Sequence, residues 1–190
     1  PDCTNDEGNC TAVIAGDGVT DYNAAKDACL EEEGPGNVPW VTLGLGSSDA
    51  WGTRYRYAVQ SEYSTQIPSP PALTPFTLNS NSGVFVIEEP DYVADATGAT
   101  PHNLATSVVA IIFSHGKNGF GGVSNNNVVR TGIPAANVDE AENTDNGPEF
   151  YMRPDTGATA AISGKEFDDI VIWISEYELK AKMVEAGKLP

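Results

Sequence analysis

The chain has 190 residues, 40% hydrophobic and 19% charged, a mix that sustains one folded core and argues against wholesale disorder. Lys and Arg number 10 against 27 Asp and Glu, a formal net charge of −17 that repels phosphate and all but excludes nucleic acid and anionic lipid as partners. The longest apolar run, Val108–Phe113, falls far short of the ~20 residues a bilayer-spanning helix needs.

Residues 1–39 hold few apolar side chains and strong breakers at Asp17-Gly18 and Gly34-Pro35-Gly36, which predicts a long ordered loop with one short helical turn over 23–30. Cys3, Cys10 and Cys29 all lie here, without the C-x-x-C pair of a zinc or redox motif. They read as one disulfide and one remaining thiol, pointing to an oxidising compartment. A Cys10–Cys29 bond closes a loop of about 20 residues and contributes roughly 3 kcal/mol in the chain-entropy picture. Cys3–Cys29 is the alternative. The Gly16-Asp17-Gly18-Val19-Thr20-Asp21 segment sets oxygen ligands at short spacing, so Asp17 and Asp21 are candidate Ca2+ ligands. It lacks the glutamate and the spacing of an EF-hand, and a solvated turn is the competing reading.

Strand patterns follow. Thr53–Val59 alternates, with Tyr55, Tyr57 and Val59 on one face and Arg54 and Arg56 on the other. Residues 60–82 contain Pro68, Pro70, Pro71 and Pro75 and read as an irregular excursion. Gly83–Glu88, Ser107–Phe113 and Asp169–Ile174 are further strands, and the last two are apolar on both faces. A short hairpin is predicted from 150–153 and 158–162. Ser175 begins a helix over 175–187, with Glu178 at the capping-box position, Leu179 and Met183 as an apolar pair, and Gly187 as the stop. The expectation is an α+β fold: one domain over 1–190, with a loop region (1–39), an antiparallel sheet with long loops (40–174) and a C-terminal helix (175–187). One short helix covers too little of a sheet that is apolar on both sides, so a further helical layer is expected.

Some polar positions carry two readings. His115 beside Ser114 suggests a nucleophile and base, but neighbours on a strand point to opposite sides. His115 and Asn118 are therefore expected to hydrogen-bond the glycine-rich turn, and no enzymatic constellation is found. Asp168-Asp169 reads as an acid/base dyad or as a strand start bonded to backbone or to Arg54 or Arg56. Trp40, Trp51 and Trp173 are expected as core anchors, with carbohydrate stacking as the competing reading.

Five segments in order carry a resemblance. They are Val38-Pro39-Trp40-Val41-Thr42-Leu43-Gly44-Leu45, Asp49–Tyr57 (DAWGTRYRY), Ile112–Gly119 (IFSHGKNG), Phe167–Ser175 (FDDIVIWIS) and Met183–Pro190 (MVEAGKLP). Together they resemble the heads of bacterial type IV pilin-like and pseudopilin-like proteins. Pro1-Asp2-Cys3, the 16–21 loop and Cys29 match the segment that precedes the LPW-type box in that family. The resemblance implies a filament subunit whose partners are other pilin subunits, on an extracellular filament or at the periplasmic face of the inner membrane of a Gram-negative bacterium. The family's long apolar N-terminal helix is not among these residues. It is expected either upstream of Pro1 in a precursor or on a separate short pilin chain. Major pseudopilins of type II secretion bind Ca2+ with a C-terminal acidic loop, which makes Asp139, Glu140, Glu142 and Asp145 a second candidate Ca2+ set. A wet charge run is the competing reading. The alternative function is a secreted, Ca2+-dependent binding module that recognises a glycan or a protein through loops 60–82 and 120–149.

Overall fold

A computed structural model describes residues 36–38, 40–64, 76–90, 100–145, 147–154 and 166–189. Cys3, Cys10, Cys29, Asp17, Asp21, the helical turn expected over 23–30 and the 158–162 arm of the expected hairpin lie outside the described residues. In chain order the elements are β1 (Gly36–Asn37), α1 (Trp40–Leu43), β2 (Arg56–Val59), α2 (Ser61–Ser64), β3 (Phe85–Glu89), β4 (His102–Ser114), α3 (Val138–Glu142), β5 (Glu149–Tyr151), β6 (Ile170–Ser175) and α4 (Glu176–Glu185).

The organising element is β4, the apolar strand of the sequence, extended to 13 residues. Its second half pairs antiparallel with β2 (Tyr57 opposite Ile112) and with β6 (Ile112 opposite Ile172). Its first half pairs antiparallel with β3 (Glu88 opposite Asn103). Beyond β2 lies β1, and beyond β3 lies β5. The expected all-antiparallel sheet is corrected here: β5 runs parallel to β3, with Ile87 opposite Phe150. A hairpin cannot join parallel neighbours. The long path through β4 and the turns and α3 that follow supplies the crossover such a pair requires.

An irregularity in β4 divides the core. Ser107 adopts a left-handed backbone at φ 57°, and the pairing register shifts between Val108 and Ala110. A residue inserted into one strand re-aims every side chain beyond it. Val108, Ile111 and Phe113 thereby join Ala58, Ile87, Phe150 and Val171 in one cluster, while Val109 joins Val59, Tyr63, Phe76 and Leu189 in another. The backbone approach here is close. A Cβ on Gly83 would stand 2.4 Å from the Val108 carbonyl oxygen.

The C-terminal helix forms as its end signals predict. The Ser175 side chain accepts a hydrogen bond from the Glu178 N–H at 3.3 Å, satisfying a donor that has no partner within the helix. At the other end Gly187 turns left-handed at φ 65°, and the N–H groups of Gly187 and Lys188 donate to the carbonyls of Val184 and Met183. This reversal returns Leu189 to the core. Leu179, Met183 and Leu189 then pack on Val59, Val109 and Ile174. No helix among the described residues is long and apolar enough to cross a membrane.

Candidate functional site

Two features stand out from the framework. The first is a bare apolar strip on the sheet face that carries α4. Paired positions stack Tyr57, Ile112 and Ile172 across β2, β4 and β6, and Ile170 lies opposite Ser114. Near β6's C-terminal end, Ile174 is half-buried among the residues that hold α4. Two residues earlier in β6 the cover ends: Ile172 is 66% exposed, Ile170 49% and Ile112 43%. Tyr55 and Trp51 extend the strip, and these side chains line a shallow groove of about 240 Å3. Trp51 is therefore a correction, because it lies at the surface at 42% exposure rather than in the core. A tryptophan is a good core residue, but Asp49 commits this loop to a turn by accepting the Trp51 and Thr53 N–H groups on Oδ1. Trp40 is half-buried beneath the Arg54 guanidinium at 4.1 Å, and Trp173 is half-buried against the first core cluster.

The second feature is a buried polar cluster where the turn after β4, α3 and the approach to β6 meet. Glu140, in α3, is fully buried. Its Oε1 accepts from Asn118 Nδ2 at 2.7 Å and from the Asp168 N–H at 3.2 Å, and its Oε2 accepts from Asn137 Nδ2 at 2.7 Å. Asp168 Oδ2 accepts the Asn118 N–H at 2.9 Å, and Asp169 Oδ2 accepts from Asn143 Nδ2 at 2.9 Å. One oxygen from each of Glu140, Asp168 and Asp169 lies within 4.8 Å of the others. Burial pushes the Glu140 carboxyl up to about 7, opposed by the Asn118 and Asp168 hydrogen bonds. Burial likewise holds Asp169 well above the usual carboxylate range, with Glu140 and Asp168 adding to the rise. Gly116 makes this junction possible, because a Cβ there would stand 2.2 Å from the Asp168 carbonyl oxygen. A cleft of about 650 Å3, lined in part by Trp51, Asn118, Asp168 and Asp169, opens onto it.

The acidic run expected to hold Ca2+ does not converge. Asp139 is buried against Arg153, whose Nε donates to Oδ2 at 2.8 Å. Glu142 is raised by burial and by the nearby charges of Asp145, Glu149 and Glu88. Asp145 is exposed and accepts the Gly147 N–H on Oδ1 at 2.6 Å. Only Glu140 of the four turns into the buried cluster. Asp139 and Glu140 are held by different partners and Asp145 lies beyond α3, so among the described residues the four are not gathered at one point. Asp168 and Asp169, which the sequence did not single out as candidate ligands, come from the pair weighed there as an acid/base dyad or a strand start.

Ser114 and His115 part as their adjacency predicts. Ser114 Oγ donates to Asp49 Oδ2 at 2.6 Å, while His115 is fully buried. Asn118 does brace the turn, accepting the Phe120 N–H on Oδ1. The His115 ring does not, since neither nitrogen has a hydrogen-bond partner among the described residues; only its backbone carbonyl takes part, accepting the Gly119 N–H.

Comparison with family models, with curated proteins and with solved structures returns no match to this chain.

Proposed function

We propose that this chain is the globular head of a type IV pilin-like or pseudopilin-like filament subunit, and that its bare sheet face packs on an apolar helix. The helix belongs either to the same precursor or to a separate chain. One observation carries the reading: the strip formed by Ile112, Ile170 and Ile172, flanked by Tyr55 and Trp51. Contiguous exposed apolar surface on a sheet marks an interaction site, because a sheet buries its apolar face against a second layer. The strip continues directly from the part of the same face that α4 already covers, two residues along β4 and β6. A second helix beside α4 completes that layer with the same kind of contact. The acidic charge of the rest of the chain suits a head exposed to solvent and leaves the strip as the surface on which assembly depends.

Ile172→Asp tests this in the cells that make the protein. The side chain is two-thirds exposed, so the isolated head should keep its melting temperature within a few degrees. Incorporation into sheared surface filaments or membrane-associated assemblies should be lost. Normal incorporation of a folded Ile172→Asp head overturns the proposal and leaves the loop-based binding module as the better reading.

A further inference from the structure

We propose that Glu140, Asp168 and Asp169, with His115 beside Asp169, form a site for one divalent first-row transition cation, Mn2+ or Zn2+ in preference to Ca2+. The site is independent of the filament reading and shares only Glu140 with the acidic run considered above. Its first support is geometric. Three carboxylate oxygens from α3 and the approach to β6 lie within 4.8 Å of one another, and two of the three residues are buried. Ligands around a single divalent cation are separated by about 3 Å when adjacent and by about 4–5 Å when opposite. Oxygens no more than 4.8 Å apart are close enough for one cation to draw together. Asn118, Asn137 and Asn143 orient the carboxylates by donating to them, as outer partners orient metal ligands. These amides offer dipoles and no charge.

The second support is separate. His115 is completely buried, neither ring nitrogen has a hydrogen-bond partner among the described residues, and Nδ1 faces Asp169 Oδ2 at 3.9 Å. Asp169 Oδ1 is likewise without a partner among the described residues. A buried imidazole without a hydrogen bond is a destabilising arrangement, and a cation that accepts its lone pair removes that cost at one of the two ring nitrogens. The neutral imidazole is the form that ligates metals. An imidazole among carboxylates also selects the metal. Ca2+ takes oxygen ligands, whereas Mn2+ and Zn2+ accept nitrogen and oxygen together. The cleft reaches Asp168 and Asp169 and supplies an entry path. A bound cation would tie the turn after β4, α3 and β6 together at one point.

Titrating the chelator-treated full chain with MnCl2, ZnCl2 and CaCl2 by calorimetry tests the site. The expected result is one equivalent of Mn2+ or Zn2+, bound at least tenfold more tightly than Ca2+. Asp169→Asn should weaken that binding at least tenfold, while the exposed Asp145→Asn should leave it unchanged. Absence of Mn2+ and Zn2+ binding overturns the proposal, as does binding that Asp145→Asn abolishes and Asp169→Asn spares. A wild-type measurement covers the case in which Asp169→Asn does not fold. The chain has two histidines, and His102 is exposed. Substoichiometric Mn2+ should broaden the His115 ring resonances and spare those of His102. Sparing of His115 contradicts the assignment.

Discussion

Protons and cations should compete for the buried cluster, so stability in chelator should depend on pH in a way set by Glu140. Its carboxyl is raised from 4.5 to about 7 because burial disfavours the charged form. A displacement of that size corresponds to about 3 kcal/mol. The folded state binds this proton more tightly than the unfolded state. The contribution is therefore fully present below the unfolded value near 4.5 and is lost as pH rises through about 7. Asp169 is shifted in the same direction and reinforces the trend. Urea unfolding in chelator at pH 5 and pH 8 measures it. The acidic chain as a whole also responds to pH, so the informative quantity is the difference between wild type and Glu140→Gln. Wild type should lose about 2–3 kcal/mol more than the variant between the two pH values. Parallel profiles for the two proteins would show that Glu140 titrates as an ordinary carboxylate and that the cluster is not the buried site described.

Other substitutions probe the framework. Ile87→Ala removes a fully buried side chain from the first core cluster and should cost about 2–5 kcal/mol by chemical denaturation, against about 1 kcal/mol for Ser175→Ala at the helix N-cap. Gly187→Ala meets open space but must hold φ at 65°, so a loss of about 1 kcal/mol is expected. Gly83→Ala should cost several-fold more, because its Cβ would lie 2.4 Å from the Val108 carbonyl oxygen and strand β3 would have to move. Equal losses for the two glycines in matched thermal melts would contradict that packing.

Much of the sheet is legible in the amino-acid order because its signals are local. Alternation around Tyr55–Val59, the β-branched runs of β4 and β6, and the Ser175 and Gly187 end signals each lie within a few residues of the element they specify. What is illegible depends on contacts between distant segments. The 149–151 strand looks the same in a hairpin as in a parallel pair, and only the path of the chain through β4 and α3 decides between them. The acidic run shows the same limit. Arg153 draws Asp139 to itself, while Asn118 and Asn137 hold Glu140, and neither choice is encoded within residues 139–145. Asp168-Asp169 is visible as a pair, but the buried imidazole that faces it arrives from the turn after β4, more than fifty positions earlier. The surface position of Trp51 follows from a turn held by Asp49, which residue type alone does not reveal.

The filament reading stands or falls on what touches Ile172. A photo-crosslinking phenylalanine analogue at that position, irradiated in the cells that produce the protein and followed by peptide mapping, identifies the contact. The account predicts a crosslink within a long apolar helix. A crosslink confined to polar loops of another protein, or none at all from a folded and abundant head, would contradict it.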